Sequence, residues 1–386
     1  MMRHWTTVFI VLPWLCAHTA ATINQPINAG RTECIGYYTL QLRSDMEYPL
    51  IYKSQHLSWS KTLDGPGDLR FNDDVTVLRN PYNVDSGGAP ERASDIYITS
   101  EATPNDLAEL LKLRNLDQQK AKNERIEMAK NLSDVPDSQK RVLKEAEEIN
   151  LYKFFNNNSV IATQDNQALL LYALIGKRIV SAQRTVIGTP QQTIDSFLKN
   201  YTPRATFEVP NEPGVCLPYA FMRNEKTQAD VGISFRLKAQ PNVIFYVQDQ
   251  PVDTSSDAPN AKAFMKKTFE KSRNFNGVVN VSPLDKFKPY HEITVDGRSG
   301  LAGFAKVTHR IGAGKDASNF IENWGYIAYI PGDKEAPLGT SSDLTFRVER
   351  FERFSNKQPM TEKEFRELAT NVLESIKRRP SAWKPR

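Results

Sequence analysis

The stretch Thr361-Glu362-Lys363-Glu364-Phe365-Arg366-Glu367-Leu368-Ala369-Thr370-Asn371-Val372-Leu373-Glu374-Ser375-Ile376 reads as one helix. Thr361 is placed to cap it, and Glu364 occupies the third helical position of a reciprocal capping box. Phe365, Leu368, Ala369, Val372, Leu373 and Ile376 fall at i, i+3, i+4, i+7, i+8 and i+11, one continuous apolar stripe. Lys377, Arg378 and Arg379 suit the negative end of such a helix, and Pro380 is expected to stop it.

A shorter copy of the same design lies mid-chain. Thr189 caps, Pro190 takes the first helical position and Gln192 the box position. Ile194, Phe197, Leu198 and Tyr201 form the stripe, and Pro203 ends it. Strand-like segments precede both helices. Leu169-Leu170-Leu171-Tyr172 reads as a buried strand that turns near Gly176, and residues 341–354 precede the last helix.

The beginnings of the two halves also correspond. Cys34 stands before the alternating Tyr38, Leu40 and Leu42, and Cys216 before the apolar run 217–222. Val231, Ile233, Phe235 and Leu237 alternate with Gly232, Ser234 and Arg236, the pattern of a half-buried strand. Helices are expected from about Thr103 and about Ala261. The order strand, strand, helix, strands, helix therefore occurs twice. It predicts an α+β fold of two similar domains, each a mainly antiparallel sheet packed with helices. The expected domains are 22–205 and 206–386, divided in the Pro-rich stretch 201–213. The first carries a charged helical insertion at about 104–155, which Pro136 interrupts. Leu107, Leu110, Leu111 and Arg114 open that insertion, with Arg114 at the polar end of the stripe. It reads either as a solvated helical hairpin or as an arm that reaches a partner.

Residues 1–21 read as a signal peptide. Arg3 supplies the positive start, Val8 to Leu15 the apolar segment, and Thr19-Ala20-Ala21 the cleavage region. The apolar run is shorter than the roughly 20 residues a bilayer span needs. Cleavage near Ala21 would leave a soluble, exported mature chain. It also removes Cys16, one of 3 cysteines. Cys34 and Cys216 remain, and two cysteines in an oxidising compartment are expected to pair. Two buried free thiols are the alternative.

The rest of the composition is unremarkable for a chain of 386 residues, with 40% hydrophobic and 25% charged residues. A net charge of +5 with both signs interspersed leaves no basic stripe for nucleic acid. His56, His291 and His309 are far apart, and no zinc-ligand spacing occurs, so neither metal nor cofactor is expected. Ser299 could be drawn into a triad with His291 or His309 and Asp296, but Leu301 stands where a nucleophile elbow needs Gly. Asp296-Gly297 reads better as a hairpin turn. Gly312-Ala313-Gly314-Lys315 echoes a P-loop, yet His309 and Asp316 occupy positions that need Gly and Ser or Thr. Asn-x-Ser/Thr sequons occur at Asn131, Asn157, Asn200 and Asn280, and matter only in a eukaryotic secretory route. No catalytic residue is assigned, so the pattern leans towards binding. A secreted hydrolase and an envelope interaction module are the other readings.

Several segments together resemble a known family. Glu33-Cys34-Ile35-Gly36-Tyr37-Tyr38-Thr39-Leu40-Gln41-Leu42 is similar to the opening strand of the immunity proteins that neutralise type VI secretion phospholipases. Phe207-Glu208-Val209-Pro210 through Gly214-Val215-Cys216-Leu217 resembles the start of that family's second domain. Val295-Asp296-Gly297-Arg298-Ser299-Gly300, Trp324-Gly325 and Arg378-Arg379-Pro380 add to the likeness. The resemblance implies a claw of two domains, located in the periplasm and not an enzyme. Its partner would be a phospholipase effector delivered by a sister or rival cell. Inhibition would follow from gripping that toxin and blocking substrate access or the opening of its active site. The contact residues are not implied.

Overall fold

A computed structural model of the chain describes residues 30–50, 69–71, 76–77, 96–165, 168–186, 188–223, 230–252, 260–271, 278–285, 287–310, 320–336, 341–351 and 360–380. The signal segment 1–21, His56 and the Gly312–Lys315 turn lie outside them.

The chain starts with a hairpin of β1 (Arg31–Ile35) and β2 (Tyr38–Leu42), followed by β3 (Met46–Glu47). Gly36 sits at the hairpin's tip with φ +58°, a conformation glycine adopts without steric cost. A two-stranded ladder of β4 (Leu69–Arg70) and β5 (Thr76–Val77) and then β6 (Tyr97–Glu101) lead to the helices α1 (Pro104–Lys130) and α2 (Pro136–Glu147). Next come β7 (Lys153–Phe155), β8 (Val160–Asp165), β9 (Ala168–Ile175), β10 (Arg178–Thr185) and α3 (Pro190–Asn200). Strands β6 to β10 make an antiparallel sheet in the order β6-β10-β9-β8-β7.

The remaining chain holds β11 (Tyr201–Pro203), β12 (Gly214–Leu217), β13 (Ala220–Arg223), β14 (Val231–Leu237) and β15 (Gln240–Pro251). After α4 (Ala261–Lys271) follow β16 (Val278–Pro283), β17 (His291–Val295), β18 (Arg298–Arg310), β19 (Phe320–Ile330) and β20 (Ser342–Arg350). The chain then forms α5 (Glu362–Glu374) and β21 (Lys377–Arg378). The largest sheet runs β16-β18-β19-β20-β15-β14-β3, with β17 also on β18. The fold is α+β with antiparallel sheets, as the repeated element order predicts.

The chain's ends are woven together. β21 pairs with β2, and β3 pairs with β14 at the edge of the large sheet. A single cluster of buried residues includes Leu169, Ile194 and Phe197 together with Phe235, Phe245, Phe346 and Phe365. A second, separate cluster lies under α1, where Leu107 and Leu110 meet Tyr152, Ile161, Tyr172 and Ile179.

The capping boxes form at Thr189 with Gln192, at Thr361 with Glu364, and also at Thr103 with Asp106. Three local expectations are corrected. The last helix ends at Glu374, so Lys377 and Arg378 form a strand instead of finishing its final turn. Ser375 stops it: its hydroxyl donates to the Val372 carbonyl and accepts from the Gln41 amide. The insertion is helical only to Glu147, because Lys153–Phe155 joins the sheet beside β8. Finally, β14 is buried along its whole length. Its polar face is covered because Arg236 donates to Glu47 Oε1 at 2.6 Å and lies 4.2 Å from the Phe71 ring centroid.

Candidate functional site

Three of the sequence motifs, residues 33–42, 207–217 and 378–380, meet where β1 lies beside β12. Gly36 and Cys216 exchange backbone hydrogen bonds of 2.9 Å in both directions. Beside them Cys34 and Cys216 are joined by a disulfide with a Cα–Cα distance of 5.7 Å. Both cysteines are fully buried, packed with Phe221 and Val209. No reductant can reach the sulfurs without local opening.

Glu33 and Arg204 form a buried ion pair next to this bond. The Glu33 carboxylate also accepts from the amides of Cys34 (2.9 Å) and Phe207 (2.6 Å). Arg204 donates further to the carbonyls of Cys34, Leu217 and Ala220, and to the Tyr48 hydroxyl. Burial alone would depress the guanidinium, but Tyr48 and Glu33 together hold its pKa above the ordinary value. Buried charges persist only when paired and hydrogen-bonded in this way.

Arg379 does the same for the Pro-rich stretch. Its guanidinium donates to the carbonyls of Pro210 (2.6 Å), Glu212 (2.9 Å) and Gly214, while its own amide donates to Tyr37. Desolvation pushes its pKa down to about 10. The Pro-rich stretch expected to divide the domains is therefore pinned by two arginines against the first and last strands. Sequence reading missed Glu33, Arg204 and Arg379 as parts of this junction. Glu33 and Arg379 lie inside the quoted motifs, but nothing local indicates what a distant charge pairs with.

The candidate triad is not assembled. His291 pairs across the ladder with Ala302, and Ser299 with Thr294. Ser299 is three residues from Ala302, roughly 10 Å along the strand. His309 is ten residues from Ser299 on the same strand, roughly 33 Å away. The Asp296 carboxylate is occupied, accepting from the Arg378 amide. Asp296 and Gly297 both have positive φ, 51° and 74°, as a two-residue hairpin turn requires. Ser299 instead lines an open cleft with Ala261, Glu292, Thr294 and Leu301. Burial, with help from Arg366, lowers the His291 pKa. Among the described residues no group of His, Cys, Asp or Glu could hold a metal ion, and no helix is long and apolar enough to cross a membrane.

Residues 208–277 match the family model of the Tle cognate immunity protein 4 C-terminal domain. No curated protein matches the chain. Among solved structures, the immunity protein TplEi of the T6SS from Pseudomonas aeruginosa, complexed with "L" peptide, is 16% identical. That alignment has a TM-score of 0.48 and covers 92% of this chain and 99% of the other. The apo form of TplEi gives 15% identity and a TM-score of 0.47, over 92% and 98% of the two chains. A chain of the Tle4–Tli4 complex gives 15% and 0.49, over 93% and 100%. The chain is thus similar, over residues 208–277, to the C-terminal domain of the Tle cognate immunity protein 4 family, and the resemblance read from its sequence is borne out there.

Proposed function

We propose that the chain is a periplasmic immunity protein that binds and inhibits a type VI secretion phospholipase effector, protecting the cell from a sister or rival toxin. The match of residues 208–277 to the immunity family carries this reading. Inhibition is by occupancy: the protein supplies a surface rather than chemistry, and it is not an enzyme. The signal segment directs export, and the buried Cys34–Cys216 bond suits an oxidising compartment.

The two domains of the proposal, 22–205 and 206–386, are interlocked rather than hinged. The disulfide, the β3–β14 pairing and the β2–β21 ladder all cross between them. A pre-set arrangement loses less freedom on binding, which favours a tight complex. The experiment is co-purification of the mature chain with the phospholipase encoded beside it. A stoichiometric, catalytically silent complex is expected. Separate elution with full lipase activity would refute the reading.

A further inference from the structure

We propose that the outer edge of β17 takes up an extended segment of the phospholipase as an added strand, with a basic side chain of that segment facing Glu292. This rests on the function proposed above and names the surface and the mode of contact.

The large sheet ends at this edge. β18 carries two strands in line on one side: β16 pairs with residues 305–309 and β17 with residues 298–302. Among the described residues, β17 has no strand partner beyond β18. The two-residue turn at Asp296-Gly297 fixes which groups are left over. Val295 and Arg298 close the hairpin as a hydrogen-bonded pair, so His291, Ile293 and Val295 bond to β18. The main-chain groups of Glu292 and Thr294 therefore point outward, and both residues are exposed. A row of outward amides and carbonyls is a template for one more strand.

The surface beside that edge is shaped to take side chains. Glu292 faces Leu301 across the hairpin, and Thr294 faces Ser299. All four line a cleft of about 430 Å³, bordered by Ala261 at the start of α4. Alternate side chains of an added strand fall on this side. Where β16 gives way to β17, Asp285 Oδ1 accepts from the amides of Phe287 (2.9 Å) and Lys288 (3.0 Å). This turn holds the Phe287 ring 98% exposed, four residues before the edge strand begins. A fixed aromatic of that exposure can anchor a partner.

Length and charge select the occupant. Between two copies of the chain, a ladder of 5 residues falls far short of the roughly 1,200 Å² that a stable dimer buries. A segment of a larger partner is not so limited, because the rest of its interface adds to the ladder. Glu292 is the one ionisable side chain among those lining the cleft. A carboxylate on an edge strand disfavours an uncharged or acidic newcomer and favours a basic residue across from it. Main-chain bonds hold the added strand, so shortening the Ser299 or His291 side chain leaves them in place.

The test titrates the full mature chain with the purified phospholipase encoded beside it, by calorimetry, and follows hydrogen exchange across residues 291–295. In the complex, exchange at Glu292 and Thr294 should slow about tenfold or more. Thr294→Pro removes an outward amide that β18 does not use, so the melting temperature should hold while affinity falls about tenfold or more. Thr294→Ser keeps the amide and should lose far less. Glu292→Lys should weaken binding too. If the proline variant melts early, Glu292→Lys and the exchange data decide. Unchanged exchange at 291–295 in the complex, or wild-type affinity in both Thr294→Pro and Glu292→Lys, would overturn the assignment. So would a lipase-free dimer that Thr294→Pro abolishes, or an edge protected in the free chain until residues 381–386 are removed. A wild-type chain that does not bind the lipase at all would instead remove the functional reading on which the assignment stands.

Discussion

Arg204 Nη1 lies 2.7 Å from Glu33 Oε1 with both side chains almost wholly out of solvent, 1% and 0% exposed. The pair joins the first strand of the chain to the Pro-rich stretch at its middle. Removing one partner leaves the other charge buried without compensation, which costs about 3–5 kcal/mol. Arg204→Met should lower stability by that amount in urea unfolding. A loss below about 1 kcal/mol, the range of an exposed pair, would show that the charges are solvated.

The adjacent disulfide closes a sequence separation of 182 residues. In the chain-entropy model such a loop contributes about 5 kcal/mol through the unfolded state. Cys34→Ser with Cys216→Ser should therefore unfold at much lower denaturant than the wild type. The native protein should resist alkylation and weigh two hydrogens less than the fully reduced chain. Two freely alkylated thiols in a periplasmic preparation would refute the bond.

Asp249 predicts a pH dependence. Burial pushes its carboxyl up to about 6, against the pull of the Arg378 and Arg298 guanidiniums. Its folded pKa thus exceeds the unfolded value of about 3.9. The folded state binds the extra proton between the two values, so stability falls as pH rises from about 4 to about 6. The full penalty, about 3 kcal/mol, is present above pH 6. Asp249→Asn should gain stability relative to wild type at pH 8 and not at pH 3.5. An effect independent of pH would contradict this.

The separated positions of Ser299, His291 and His309 predict that none is needed for function. The triple variant Ser299→Ala, His291→Ala, His309→Ala should inhibit the phospholipase as the wild type does. A hydrolytic activity of the protein that vanishes in this variant would reverse the reading.

What the sequence revealed follows from the range of the interactions involved. The capping boxes at Thr189 and Thr361 are written within four residues, and both form. The Asp296-Gly297 turn is equally local. Arg378 is different: its strand partner is Tyr38, from the other end of the chain, so its residue type suggested a helix end. Arg236 alternates like a solvent-facing residue, and only the arrival of Glu47 and Phe71 buries it. The exposed apolar residues of the helical insertion were hidden for the same reason. Leu116 and Leu143 are leucines in a helical segment, as Leu107 and Leu110 are, and only the folded chain separates the exposed pair from the buried one.

The most direct measurement of the central claim is a titration of the neighbouring phospholipase with the purified, oxidised mature chain, following lipid hydrolysis. Activity should fall linearly to zero at an equivalence point set by a fixed stoichiometry, as tight occupancy requires. Undiminished hydrolysis at a large molar excess would contradict it.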